Sequence, residues 1–142
     1  MQDPGNPDPA RVMFDGDNAS RALGIELTAT GPGYARARMR ITENMVNGHD
    51  IAHGGYLFLL ADTAFACACN SHGPTTVAAR ADITFMRPVA LGEELVATAR
   101  ERSRFGRSGI YDVTVARDGQ TIAEFRGHSK SLGDERSGEE SR

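Results

Sequence analysis

The sequence predicts an α+β fold in which a single antiparallel sheet curls around one long central helix. Three observations carry this. From Gly55 to Cys69 the chain is apolar on every side, interrupted only by Asp62 and Thr63, and a helix that is apolar all round is a buried one. Two strand signals precede that helix and three or four longer ones follow it, a segregation that belongs to α+β folds and not to alternating βαβ units. The strand segments are rich in Ala and Gly, small enough to let a sheet approach a helix closely.

Each element has its own local signal. Residues 1–9 carry three of the six prolines and read as a loose lead-in. Asp8 is placed to cap a short helix reaching Phe14, with Pro9 at its first position. Asp17 or Asn18 is placed to cap a second, ending near Gly24. Residues 25–30 read as a strand, Gly31-Pro32-Gly33 as a turn, and Tyr34 to Thr42 as a second strand. In that run Arg36, Arg38 and Arg40 share one face while Ala35, Ala37, Met39 and Ile41 share the other, the pattern of a half-buried antiparallel strand. After the central helix, Gly73-Pro74 breaks the pattern, Thr75 to Met86 reads as a strand closed by Arg87-Pro88, and Leu95 to Ser103 as another. The runs Ile110 to Ala116 and Thr121 to Ser129 flank Asp118-Gly119, a pair suited to a type I′ hairpin turn. Residues 133–142 read as a polar, disordered tail. The expected organisation is one domain over residues 21–132, preceded by a lead-in over residues 1–20 that holds a short helix.

Composition narrows the function. With 39% apolar and 25% charged residues, wholesale disorder is excluded, and a formal net charge of −3 argues against nucleic acid as a partner. The apolar helix falls short of the ~20 residues that span a bilayer and carries Asp62 near its middle, so no membrane is expected. No basic start followed by an apolar core opens the chain, which makes the cytoplasm the expected compartment. Cys67 and Cys69, two apart on one helix, point in different directions and read as small core hydrophobes.

Five features carry candidate chemistry. His49 and His53 have the spacing of a zinc-binding histidine pair, but that spacing works only on a continuous helix; Gly48 and Gly54-Gly55 break it and no third ligand stands out, so no metal is expected. His53-Gly54-Gly55 forms the entrance to the central helix. The glycines either turn the chain or leave the first backbone N–H groups open at the positive end of the dipole, where they suit a carbonyl oxygen or oxyanion. Asp62, a carboxylate on a buried helix, must find a partner, bind its proton more tightly, or face a solvent-filled site. Asn47 reads as a turn residue or a polar site group, and Thr63 as a site group or a hydroxyl bonded back to its own helix.

Taken together, Asn47, His53-Gly54-Gly55 and Asp62-Thr63-Ala64-Phe65-Ala66 resemble the signature of hotdog-fold acyl-CoA thioesterases of the phenylacetate-degradation type. The similarity continues through Cys69-Asn70-Ser71, Asp82-Ile83-Thr84-Phe85-Met86-Arg87-Pro88 and the stretch Gly106 to Val113, and covers the chain from about residue 20 to residue 132. The resemblance implies that Asp62 is general base or nucleophile and that the Gly54 N–H polarises the thioester carbonyl. It also implies that Asn47 and His53 line the site, with Gly55 and Thr63 beside the substrate. Some relatives carry a hydroxyl on the strand after the helix, where this chain has Ala78 and Ala79, so help to the attacking water from that strand is not implied here.

Thioester hydrolysis needs an activated water or a direct nucleophile, and donors aimed at the developing oxyanion; no cofactor is required. Coenzyme A brings phosphate charge. Between residues 80 and 107 the chain sets six arginines against Asp82, Glu93, Glu94 and Glu101. Of these, Arg87 and Arg107, beside turns, are the candidates for phosphate contact, the alternative being a solvated strand face. Gly54 and Asp62 lie eight residues apart, about 12 Å along a helix, too far to meet one thioester carbon. A two-fold dimer with shared sites is therefore expected, and the resemblance extends this to a tetramer, a dimer of dimers. Two other readings remain open: a hotdog-fold hydratase or dehydratase using His53, and a non-catalytic acyl-CoA-binding protein, for which the short tails leave little room.

Overall fold

The computed structural model describes residues 7–133, and its elements are ordered as the patterning predicts. Two short helices, α1 (Pro9–Asp15) and α2 (Asn18–Ala22), lead into strands β1 (Glu26–Gly31) and β2 (Tyr34–Arg40). A single 3-10 turn (Glu43–Met45) and a loop reach the long helix α3 (Gly54–Asn70). Strands β3 (Thr75–Phe85), β4 (Glu94–Phe105), β5 (Ser108–Arg117) and β6 (Gln120–Gly133) follow. All six strands join one sheet in the order β1-β2-β4-β5-β6-β3, every neighbouring pair antiparallel. This is the hotdog arrangement, with α3 in the hollow of the sheet.

Alternation sets which face of each strand meets the helix. In β2, Ala35, Ala37 and Met39 are buried while Arg36, Arg38 and Arg40 are exposed. In β4, Leu95, Ala97 and Ala99 do the same work, and in β5 Tyr111, Val113 and Val115. Against this floor α3 buries Leu57, Leu60, Ala61, Ala64, Phe65 and Ala68. Phe65 fixes the depth of the helix. Its ring packs edge-on to Tyr111 at 5.6 Å and tilted to Phe125 at 5.7 Å. A Cβ on Gly127 would lie 2.7 Å from that ring, so only glycine lets β6 pass beneath. Cys67 and Cys69 are buried core residues, their thiols pushed up to about 12 chiefly by burial.

The ends of α3 are held differently. At its C-terminus the Asn70 amide donates to the carbonyls of Ala66 and Thr76, both at 2.9 Å, and its oxygen accepts from the Thr76 N–H at 2.9 Å. Ser71 Oγ accepts from the Gly33 N–H at 2.8 Å. At its N-terminus no side chain caps the helix. The Asp118-Gly119 turn has both residues at positive φ, +49° and +80°, as a type I′ hairpin requires. Strand β6 continues through Gly133, so residue 133 belongs to the sheet; the rest of the expected tail, and the first six residues of the lead-in, lie outside the described residues. No helix among the described residues is long and apolar enough to cross a membrane.

Candidate active site

Asn47 organises the entrance to α3. Its side-chain oxygen accepts from the backbone N–H groups of His49 (2.8 Å) and Ile51 (3.2 Å), while its own N–H donates to the Ile51 carbonyl at 2.9 Å. Asp50, at φ +60°, turns the chain, and Ile51 and Ala52 are stitched to the segment after β3 by an isolated bridge to Ala90 and an N–H bond to the Val89 carbonyl at 2.8 Å. His49 and His53 thus sit on a stapled loop and not on one helical face. Among the described residues no cluster of three metal-ligating side chains occurs.

His53 is the exposed N-cap residue, extended at φ −65° and ψ 139°, and its imidazole caps nothing. Gly54 and Gly55 therefore open α3 with their amides uncapped by any side chain, at the positive end of the helix dipole. Phe85, from the end of β3, lies over Gly54: a Cβ there would sit 2.7 Å from the ring. The two line a groove of about 400 Å³ with Ile51, Leu57, Met86 and Arg87. Arg87 is exposed and donates to the Thr121 carbonyl at 3.1 Å.

Asp62 lies two turns further along α3, half-buried in an otherwise apolar stretch. No donor among the described residues hydrogen-bonds its carboxylate. Burial raises its proton affinity above the usual carboxylate range, and the negative charge of Asp17 adds to this. Thr63, beside it, is buried with its hydroxyl donating to the Leu59 carbonyl at 2.8 Å and lying 2.7 Å from Ser20 Oγ. Arg107 is at the far end of the helix, in the β4–β5 turn, where it shares a cavity of about 110 Å³ with Cys69, His72, Ser108, Tyr111 and Ser129.

Within one chain, then, Gly54, Gly55, His53, Asn47 and Arg87 gather at the N-terminal end of α3, Asp62 and Thr63 lie mid-helix, and Arg107 lies beyond its C-terminus. The groove at Gly54 does not include Asp62. Three features escaped the sequence. Phe85 stands in the quoted strand motif without a role attached, and only the fold brings it over Gly54. Ser20 carries no signal of its contact with Thr63, 43 residues away. Glu101, which accepts from Tyr111 at 3.0 Å and contacts His72 at 2.7 Å, reads in sequence as one more charge on an alternating strand.

The fold is that of a hotdog thioesterase, and the family and relatives that match the chain are thioesterases. The Thioesterase superfamily pattern matches residues 49–124. Acyl-coenzyme A thioesterase PaaI of Escherichia coli is 44% identical over 131 residues, 92% of this chain and 94% of the relative. The solved structure of the E. coli PaaI protein from the phenylacetic acid degradation operon superposes with a TM-score of 0.85, covering 88% of this chain and 91% of that one. Human acyl-coenzyme A thioesterase 13 is 33% identical over 129 residues, 87% of this chain and 91% of its own. This chain belongs to the thioesterase superfamily and is a thioester hydrolase.

Proposed function

We propose that the protein hydrolyses aryl-acyl-CoA thioesters, of the phenylacetyl-CoA or hydroxyphenylacetyl-CoA kind, to the free acid and CoA, in sites shared between two chains of a cytoplasmic homo-oligomer. The observation that carries this reading is Asp62: an unpartnered carboxylate in an apolar helix, its proton affinity raised by burial, is the condition of a base or nucleophile near neutral pH. The names of the E. coli and human relatives support the acyl-CoA substrate, and the operon of the E. coli protein supports the aryl acyl group.

The thioester carbonyl oxygen would rest on the Gly54 N–H at the start of α3, where charge developing on that oxygen is stabilised. As general base, Asp62 takes a proton from water as the water oxygen bonds to the carbonyl carbon; the C–S bond then breaks and the CoA sulfur receives the proton. As nucleophile, Asp62 bonds to the carbonyl carbon, expels the thiolate, and water hydrolyses the resulting anhydride. Asn47 holds the loop that presents Gly54, with His53 and Gly55 beside it. Arg87, on the same groove, and Arg107 are assigned to the CoA phosphates.

Both routes require Asp62 and Gly54 at one carbon, yet eight residues of helix, about 12 Å, separate them in one chain. Strand β3 offers the remedy. It is an 11-residue edge strand with only β6 as neighbour, and Val77 and Phe85 are 44% and 50% exposed, a long open edge of the kind that pairs with another chain. Pairing two β3 edges about a two-fold axis lays the two α3 helices side by side and antiparallel, bringing Gly54 of each towards Asp62 of the other; a dimer of dimers completes the assembly. The test mixes Asp62→Asn with Gly54→Pro. Proline is tolerated at a first helical position and deletes the N–H, and Phe85→Leu made alongside it removes the ring that its Cβ would otherwise meet at 2.7 Å. Each homodimer should be inactive, while random co-assembly in equal amounts should restore about a quarter of wild-type activity, because half the dimers then hold one intact site of two. Mixed dimers verified by mass and still inactive would overturn the shared site.

A further inference from the structure

The two helices ahead of the sheet are not independent elements. At seven and five residues they are far below the length at which a helix stands alone in water, and they are held by docking. Ala10 and Phe14 enter the core, Arg11 Nη1 donates to the Leu27 carbonyl at 3.1 Å, and Thr30 Oγ1 donates to the Asp8 carboxylate. The innermost contact is polar. Asp17, the N-cap of α2, accepts from the Ser20 N–H at 3.0 Å and from Ser20 Oγ at 2.6 Å. With its own proton given to Asp17, Ser20 Oγ accepts from Thr63 Oγ1 at 2.7 Å, and the same Thr63 proton is shared with the Leu59 carbonyl at 2.8 Å. Ser20 is 2% exposed and Thr63 5%, so this path from a carboxylate to the backbone of α3 runs through buried hydroxyls. It ends on the turn from Leu59 to Thr63, the turn that contains Asp62.

We propose that Asp17 is a positioning residue for Asp62: through Ser20 and Thr63 it locks the turn of α3 that carries the reacting carboxylate, and it sets a second carboxylate beside that turn. The inference rests on the reading in which Asp62 reacts. Hydrogen bonds through two buried hydroxyls are directional, so they fix the rotation and height of that turn. The Asp17 charge also acts on Asp62 in the same sense as burial, towards holding the proton more tightly, which makes the ionised form a stronger base. Among the described residues nothing opposes this action. From α1 and its cap, Arg11 and Asp8 act on Cys67; on α3 itself Cys69 is the thiol coupled to Asp62. The strands beneath the helix present Ala35, Ala37, Ala97, Ala99 and Val113, with Tyr111 and its Glu101 partner near Cys69.

Two substitutions separate the charge from the path. Asp17→Asn keeps an oxygen for the Ser20 N–H, since Asn is as good an N-cap as Asp, and turns an amide N–H towards Ser20 Oγ in place of the second oxygen, so it removes the charge while keeping a hydrogen bond there; Ser20→Ala keeps the charge and cuts the path. In protein labelled with 13C at the aspartate carboxyls, with the Asp62 signal assigned by its loss in Asp62→Asn, the Asp62 titration should move to lower pH in Asp17→Asn. The acid limb of kcat/KM should move with it, and turnover at the plateau should fall roughly threefold to tenfold. Ser20→Ala should lower kcat severalfold with KM little changed, and Ser20→Thr, which restores the hydroxyl, should recover it. An Asp62 signal titrating at the same pH in Asp17→Asn as in wild type overturns the inference, as does wild-type turnover in Ser20→Ala. Should Asp62→Asn itself remain active, the proposed function falls and takes the positioning role with it, whereas an unmoved titration counts against the Asp17 inference alone.

Discussion

Asp62 and Asp112 are the same side chain in opposite circumstances. Asp112, on the outer face of β5, receives Arg126 in a fork, Nε to Oδ1 at 2.6 Å and Nη2 to Oδ2 at 2.8 Å, with Arg102 at 3.4 Å. The Arg126 hydrogen bonds hold its carboxyl below the usual range. Asp62, on the inner helix, has no such partner; burial first and the Asp17 charge second raise it. One carboxylate is placed where its ionised form is welcome, the other where that form is opposed. A group kept against its own electrostatic preference is the one to examine for chemistry, and here it stands on the element around which the whole sheet is wrapped.

Substitution should separate the two sharply. Asp62→Asn preserves volume and should cut turnover by roughly three orders of magnitude or more, while Asp112→Asn, on the opposite face of the sheet, should leave steady-state turnover within about twofold. Activity retained in the first, or lost in the second, breaks the comparison. The next effect is at the other reacting position. Gly54→Ala keeps the N–H but sets a methyl 2.7 Å from the Phe85 ring, an overpacking of about 1 to 3 kcal/mol where neighbours cannot give way. The double change with Phe85→Leu should recover both melting temperature and turnover if the N–H, and not the missing side chain, is what the reaction uses. Double mutants that melt normally yet stay inactive would assign the glycine to catalysis in another way. Smallest is the effect of Arg87→Ala, expected to raise KM a few-fold with kcat held, and to blunt the weakening of KM by salt, since an exposed guanidinium acts on phosphate through a screened field. A fall in kcat alone would place Arg87 in the chemistry.

Much of this architecture was legible in the sequence because it rests on periodicity. The alternation of Ala35, Ala37 and Met39 with Arg36, Arg38 and Arg40 gives β2 and its buried face, and the unbroken apolar run gives α3. Strand ends were less legible, because pairing partners and not composition set them. Strand β6 runs on to Gly133 since Thr75 and Ser108 wait opposite its last residues, pairing with Gly133 and Lys130. The position of β3 at the sheet edge depends on strand order, which no local pattern encodes. Asp62 and Gly54 were legible as exceptions, a charge and a pair of glycines on a helix that should want neither. Phe85 over Gly54 and Ser20 against Thr63 were not, because each contact joins ordinary residues that only the closed fold brings together.

The comparison is tested most directly by stability as a function of pH. Asp62 binds its proton more tightly folded than unfolded, so as pH rises from the ordinary carboxylate value of 3.8 through its raised folded value, stability is lost and stays lost above it. Asp112 has the opposite sign: its folded form releases the proton more readily, so its contribution is present above 3.8 and is lost as pH falls through its depressed folded value. Urea denaturation of wild type, Asp62→Asn and Asp112→Asn, each from pH 3 to pH 8, reads both. The account predicts that Asp62→Asn gains stability over wild type as pH rises to neutrality, while Asp112→Asn loses a little over the same range. An Asp62→Asn protein less stable than wild type at neutral pH would mean that the carboxylate is held by a stabilising partner, and would contradict the claim that the fold keeps Asp62 unpaired for reaction.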